Sequence, residues 1–71
     1  MKQHSNDELR ITATLRKWRK DAGMNQKDLS EKLGVSVQAI SRLELNPLNA
    51  KLSTLIKYAS ACDKILWKIL I

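Results

Sequence analysis

An all-α domain of four short helices, closed by a short C-terminal strand or fifth helix, is the fold class this sequence predicts. Three observations carry the prediction. Only two glycines and one proline interrupt 71 residues, so the connections are few and short. Apolar residues recur at steps of three and four along most of the chain. Two stretches also repeat one helix-start pattern, in which an apolar residue, a capping side chain and a second apolar residue follow at fixed spacing.

The elements follow in order. Ser5 and Glu8 have the spacing of a capping box and start a first helix, in which Ile11, Leu15, Trp18 and Ala22 form one apolar stripe. Gly23 supplies its left-handed stop. Asn25 caps a second helix, with Asp28 at the third helical position and Met24 stapled to Leu29; Leu29 and Leu33 face inward and Gly34 ends it. Val35, Ser36 and Ile40 repeat the arrangement and start a third helix, which buries Val35, Ile40 and Leu43. Two stapled helices so closely joined cannot stay collinear, which makes residues 26–45 a helix-turn-helix.

Asn46-Pro47 stops the third helix, and a fourth carries Leu52, Leu55, Ala59 and Cys62 on one side. Residues 64–71 are apolar nearly all round as a helix. As a strand they place Ile65, Trp67, Ile69 and Ile71 on one face, and their β-branched and aromatic content favours the strand. A lone strand needs a mate, so this segment is expected to join two copies of the chain.

Composition narrows the function classes. At 71 residues with 44% apolar content this is one ordered domain, 1–71, but only two Trp and one Tyr are aromatic. Such a thin core favours dimerisation. Thirteen Lys and Arg against seven Asp and Glu give a net charge of +6, which points to a polyanionic partner. The single cysteine, Cys62, fits a reducing compartment, the first residues are polar, and no stretch is long enough to span a bilayer. A cytoplasmic protein is expected. His4 and Cys62 have no companions to complete a metal site, and no glycine-rich loop cradles phosphates, so no metal, cofactor or catalysis is expected.

The stretch LRKWRKDAGMNQKDLSEKLGVSVQAISRLE resembles the helix-turn-helix of the lambda-repressor-like, Cro/CI (XRE) family of DNA-binding proteins. The matching features are Gln26 at the start of the first motif helix, the small-then-Gly turn, Leu29, Leu33, Gly34, Val35, Ile40 and Leu43 in the core slots, and Ile-Ser-Arg-Leu-Glu at the close. With the fourth helix, LSTLIKYASAC, the resemblance covers about residues 9 to 63. It departs from the family at Ser30, where alanine is usual, and at Lys51, a poor cap where serine is common.

In such a motif the second helix enters the major groove while the first crosses the sugar-phosphate backbone. Gln38 is then the best base reader, since its amide can pair with adenine bidentately. Arg42 one turn later can reach guanine or a phosphate, Ser41 can contact either, and Val37 can pack on a thymine methyl. The resemblance implies that Gln26 clamps a phosphate and that Asn46 touches another; Lys27 and the cap residue Ser36 are further backbone candidates. It also implies that Arg19 pairs with Glu44 and ties the first helix to the recognition helix. For the rest of the basic run, Arg16, Lys17 and Lys20, a solvated face and a DNA contact both stay open.

The expected partner is double-stranded DNA, bound by a homodimer on an inverted repeat. Two functions share that chemistry: a stand-alone repressor, and an antitoxin that represses its own operon and holds a toxin. The segment from Leu43 to Ile71 is similar to HipB- and HigA-like antitoxins, in which Asn-Pro follows the recognition helix and a terminal strand pairs across the dimer. A third function, from another class, is a protein-interaction module whose charge serves solubility.

Overall fold

The structure is a computed structural model that describes the backbone of residues 6–66 and the side chains of residues 8–66. Four α-helices follow one another: α1 (Asn6–Asp21), α2 (Gln26–Leu33), α3 (Val37–Leu45) and α4 (Leu52–Ala61), with a single 3-10 turn, Pro47–Asn49, between α3 and α4. The Ser5 half of the expected first capping box lies outside the described residues.

The two motif helices begin as their caps dictate. Asn25 Oδ1 accepts the Asp28 N–H at 2.7 Å, and Asp28 Oδ2 accepts the Asn25 N–H at 3.1 Å, a reciprocal capping box at the head of α2. At the head of α3, Ser36 Oγ accepts the Ala39 N–H at 3.0 Å. Between them Gly34 takes φ 71°, the left-handed conformation that turns the chain without strain only where no Cβ is present. The Val35 N–H then bonds the Ser30 carbonyl at 3.0 Å and closes the turn.

One core holds the helices. Leu15 and Trp18 of α1, Leu29 of α2, Ile40 and Leu43 of α3, and Tyr58, Ala59 and Cys62 in and after α4 are buried together, with Ile11, Met24, Leu33 and Leu55 packed against them. Ser30 is buried where α2 meets its neighbours, and its hydroxyl donates to the Lys27 carbonyl at 2.7 Å. A serine is thus accommodated where a buried polar group would otherwise be costly.

Three expected core positions lie elsewhere. Val35 is 39% exposed, on the surface of the tight turn after Gly34. Ala22 is exposed beyond the last turn of α1. Leu52 is 61% exposed: it is the first residue of α4, and the helix meets the core instead with Leu55, Tyr58, Ala59 and Cys62. Lys64 and Ile65 have no regular structure and Leu66 lies in a turn. Trp67, Ile69 and Ile71 lie outside the described residues.

Candidate nucleic-acid interface

The third helix is two-faced. Ile40, Leu43 and Glu44, at helical spacing, are buried, while Val37, Gln38 and Arg42 are exposed and Ser41 is half-buried on the other side. That outer face carries no carboxylate, because the only acidic residue of α3 is Glu44. Amide, hydroxyl and guanidinium groups therefore share one short surface with no negative charge on it.

Glu44 is the fixed point of the site. Its carboxylate accepts the Arg19 Nε–H at 2.7 Å and Nη2–H at 3.3 Å, the Gln26 side-chain N–H at 3.0 Å and the Tyr58 O–H at 2.6 Å, with Arg16 Nε at 3.5 Å. Burial alone would raise the Glu44 carboxyl, but the hydrogen bonds from Arg19, Tyr58 and Gln26 outweigh it and hold it below the usual carboxylate range. The same Glu44 bond pushes the Arg19 guanidinium higher still, against its own burial. Arg19 Nη1 also donates to the Met24 carbonyl at 3.2 Å. Helices α1, α2, α3 and α4 thus meet on one carboxylate, whose charge is compensated by arginine before it can reach the outer face.

Around that hub the backbone-contact candidates take their places. Gln26 turns its side-chain nitrogen inward to Glu44, which leaves one amide hydrogen and the carbonyl oxygen for other partners. The N–H groups of Gln26 and Lys27 lie ahead of the first helical hydrogen bond, where an anion is favoured. Lys27 is exposed. Ser36 uses its lone pair as a cap and keeps its hydroxyl proton to donate. Asn46 ends α3, its N–H bonded to the Arg42 carbonyl at 2.9 Å, and its side chain is exposed.

An open cleft of about 640 Å³ runs from α3 to the head of α4, lined among others by Arg42, Asn46, Asn49, Lys51 and Thr54. Asn49 and Lys51 therefore line one cleft with Arg42 and Asn46. Sequence reasoning missed this cleft, since the 3-10 turn that brings Asn49 and Lys51 round has no periodic signal.

A helix-turn-helix family model matches residues 15–66, well over half of the chain. The chain belongs to the Cro/CI-type (XRE) helix-turn-helix family. Members of this helix-turn-helix family are sequence-specific DNA-binding regulators, and that is the general role of this one. No curated protein and no solved structure matches it. Among the described residues of this family member, no helix is long and apolar enough to cross a membrane.

Proposed function

We propose that the protein is a homodimeric repressor that acts by occupying an operator. The observation that supports this most is the outer face of α3, with Val37, Gln38, Ser41 and Arg42 presented together and no carboxylate among them. In this reading α3 lies in the major groove. Gln38 pairs with an adenine, Arg42 reaches a guanine or a phosphate, Ser41 supports either, and Val37 packs on a thymine methyl. Gln26, Lys27, Ser36 and Asn46 hold phosphates and fix the register without reading sequence.

Two copies joined through Ile65, Trp67, Ile69 and Ile71 set the half-sites ~34 Å apart, one turn of DNA. Polymerase is excluded by occupancy alone; no bond is made or broken, and a cytoplasmic location goes with the role. Protection footprinting with genomic DNA tests it. Two protected half-sites one turn apart are expected, with affinity falling by about 10³ to 10⁵ between roughly 50 and 200 mM salt for about 6–10 phosphate contacts. Unpaired protection, or binding indifferent to salt, rejects the reading.

The second reading is an antitoxin that also holds a toxin. It is favoured by Asn46-Pro47 directly after α3 and by the apolar segment that runs to residue 71. Copurification with one small protein from the adjacent reading frame separates it from a stand-alone repressor.

A further inference from the structure

On the side of α4 turned away from the core, Leu52, Ile56 and Ser60 follow one another at steps of four. After Cys62 the chain bends through Asp63, whose φ is 59°, and the Lys64 N–H bonds back to the Ala59 carbonyl at 2.8 Å. This bend sets Ile65 and Leu66 beside Leu52 and Ile56 around an apolar hollow of about 330 Å³. Leu52 is 61% exposed, Ile56 50% and Ile65 61%. A second hollow shares Ile56 and Ser60 and continues towards Leu33 at the end of α2. The first hollow follows α4 from Leu52 to Ser60, about 12 Å at 1.5 Å per residue, and the second adjoins it at Ile56 and Ser60 to widen the groove.

The rim of this groove is cationic. Lys64 lines the first hollow, Lys32 and Lys57 the second, and no carboxylate lines either. None of the three lysines is in an ion pair among the described residues, although Lys32 Nζ donates to the Ala61 carbonyl at 3.2 Å. A grouped apolar floor on a small domain marks an interaction surface, and the rim decides its occupant. A second copy is disfavoured, because a two-fold contact sets identical patches face to face and would crowd the lysine rims of two +6 chains. A helix with an apolar stripe and flanking carboxylates satisfies both floor and rim.

We infer that the α4 groove is a docking site for an acidic amphipathic helix of another protein. It shares no residue with the outer face of α3 or with Gln26, Lys27, Ser36 and Asn46, so the partner docks while the recognition helix is on DNA. The inference therefore uses none of the DNA-contact residues of the operator-occupancy reading. Lys64, Ile65 and Leu66 are common to this groove and the segment expected to join two copies.

The test is an NMR titration of the full-length chain with a synthetic helical peptide carrying leucines on one face and glutamates on the other. Its twin carries lysines in place of the glutamates. The methyl signals of Leu52, Ile56 and Ile65 shift and those of Val37 do not, and the glutamate peptide binds about tenfold more tightly than its twin. Reversing the rim with Lys57→Glu and Lys64→Glu inverts that order. Ile56→Ser, at a half-exposed position, weakens the peptide without lowering the melting temperature. Absent shifts, equal affinities for the two peptides, or shifts centred on α3 overturn the proposal. So does an equal response to anionic lipid vesicles, or a self-associated protein that Ile56→Ser turns into a monomer, which would give the groove to a second copy. Footprinting that fails leaves the peptide result standing, and the reverse holds too.

Discussion

The hydroxyl oxygen of Tyr58 lies 2.6 Å from a carboxylate oxygen of Glu44, and both side chains are fully buried. The same hydroxyl is 3.0 Å from the Leu15 carbonyl oxygen. It has one proton, and the shorter, charge-assisted contact to Glu44 takes it. A residue of α4 therefore helps to hold the helix expected to read DNA. Its bond complements the Arg19 pair, which holds the same carboxylate from α1.

Replacing Tyr58 by Phe removes that bond while keeping the ring in the core. The expected loss of stability is about 1.5–3 kcal/mol, the range for hydrogen bonds to charged groups. Because Glu44 keeps Arg19 and Gln26, the variant folds. Thermal denaturation measures the loss; an unchanged melting temperature would show that the 2.6 Å contact is not a stabilising bond.

The hub also fixes how stability depends on pH. Glu44 is held below its ordinary range, so its contribution is complete above the unfolded carboxylate value and is lost as pH falls through the lower, folded one. Tyr58 is shifted upward, by its burial first and by the Glu44 bond next; its contribution is complete below the unfolded phenol value, about 10, and is lost above it. Urea unfolding across pH should show both limbs in the natural chain. In Tyr58→Phe the alkaline limb should shrink, and an undiminished one would assign it to other groups.

Backbone conformation gives a pair of opposite effects. Gly34 has a positive φ and open space where a Cβ would go, so Gly34→Ala costs only the left-handed strain, about 1–2 kcal/mol. Asp63 is in that same region with φ 59° just after α4, so Asp63→Gly relieves strain and stabilises by about 1 kcal/mol or less. Equal and like-signed changes in the two variants, read from urea midpoints, would contradict this account.

Lys51 stands at the cap position of α4 with extended backbone and no side-chain hydrogen bond to the helix. Lys51→Ser supplies the missing acceptor and is expected to add about 0.5–1 kcal/mol. It also removes one cation from the cleft that Lys51 lines with Arg42 and Asn46, so affinity for all DNA is expected to fall together, with a smaller salt slope. Calorimetry and a salt titration read the two effects separately, and a stabilised variant with unchanged DNA affinity would place Lys51 outside the contact surface.

Much of this was legible in the sequence because caps and stops are local. Asn25, Asp28, Gly34 and Ser36 act through hydrogen bonds and dihedrals set within a few residues, and they fix where α2 and α3 begin and turn. The inward stripe of α4 was legible only in part, because Leu52 and Leu55 have the same period and only packing decides which end meets the core. Tyr58 was missed for a related reason. Its hydroxyl finds Glu44 from 14 positions away, and nothing in the local pattern distinguishes a buried, bonded tyrosine from a surface one. Gln26 matched a phosphate-contact position, yet its second bond, inward to Glu44, needed the fold to reveal it.

Competition binding of the Gln38→Ala and Lys27→Ala variants to the operator, to operators changed at single positions and to random DNA tests the central claim most directly. Both side chains are exposed, so neither change should disturb folding. Gln38→Ala should lose about 1–3 kcal/mol on the operator alone and relax preference at one base pair, while Lys27→Ala should weaken every sequence alike and lower the salt slope by about one. Two variants that lose specific and random binding in the same proportion would contradict the division between a base-reading α3 face and a backbone-gripping surround.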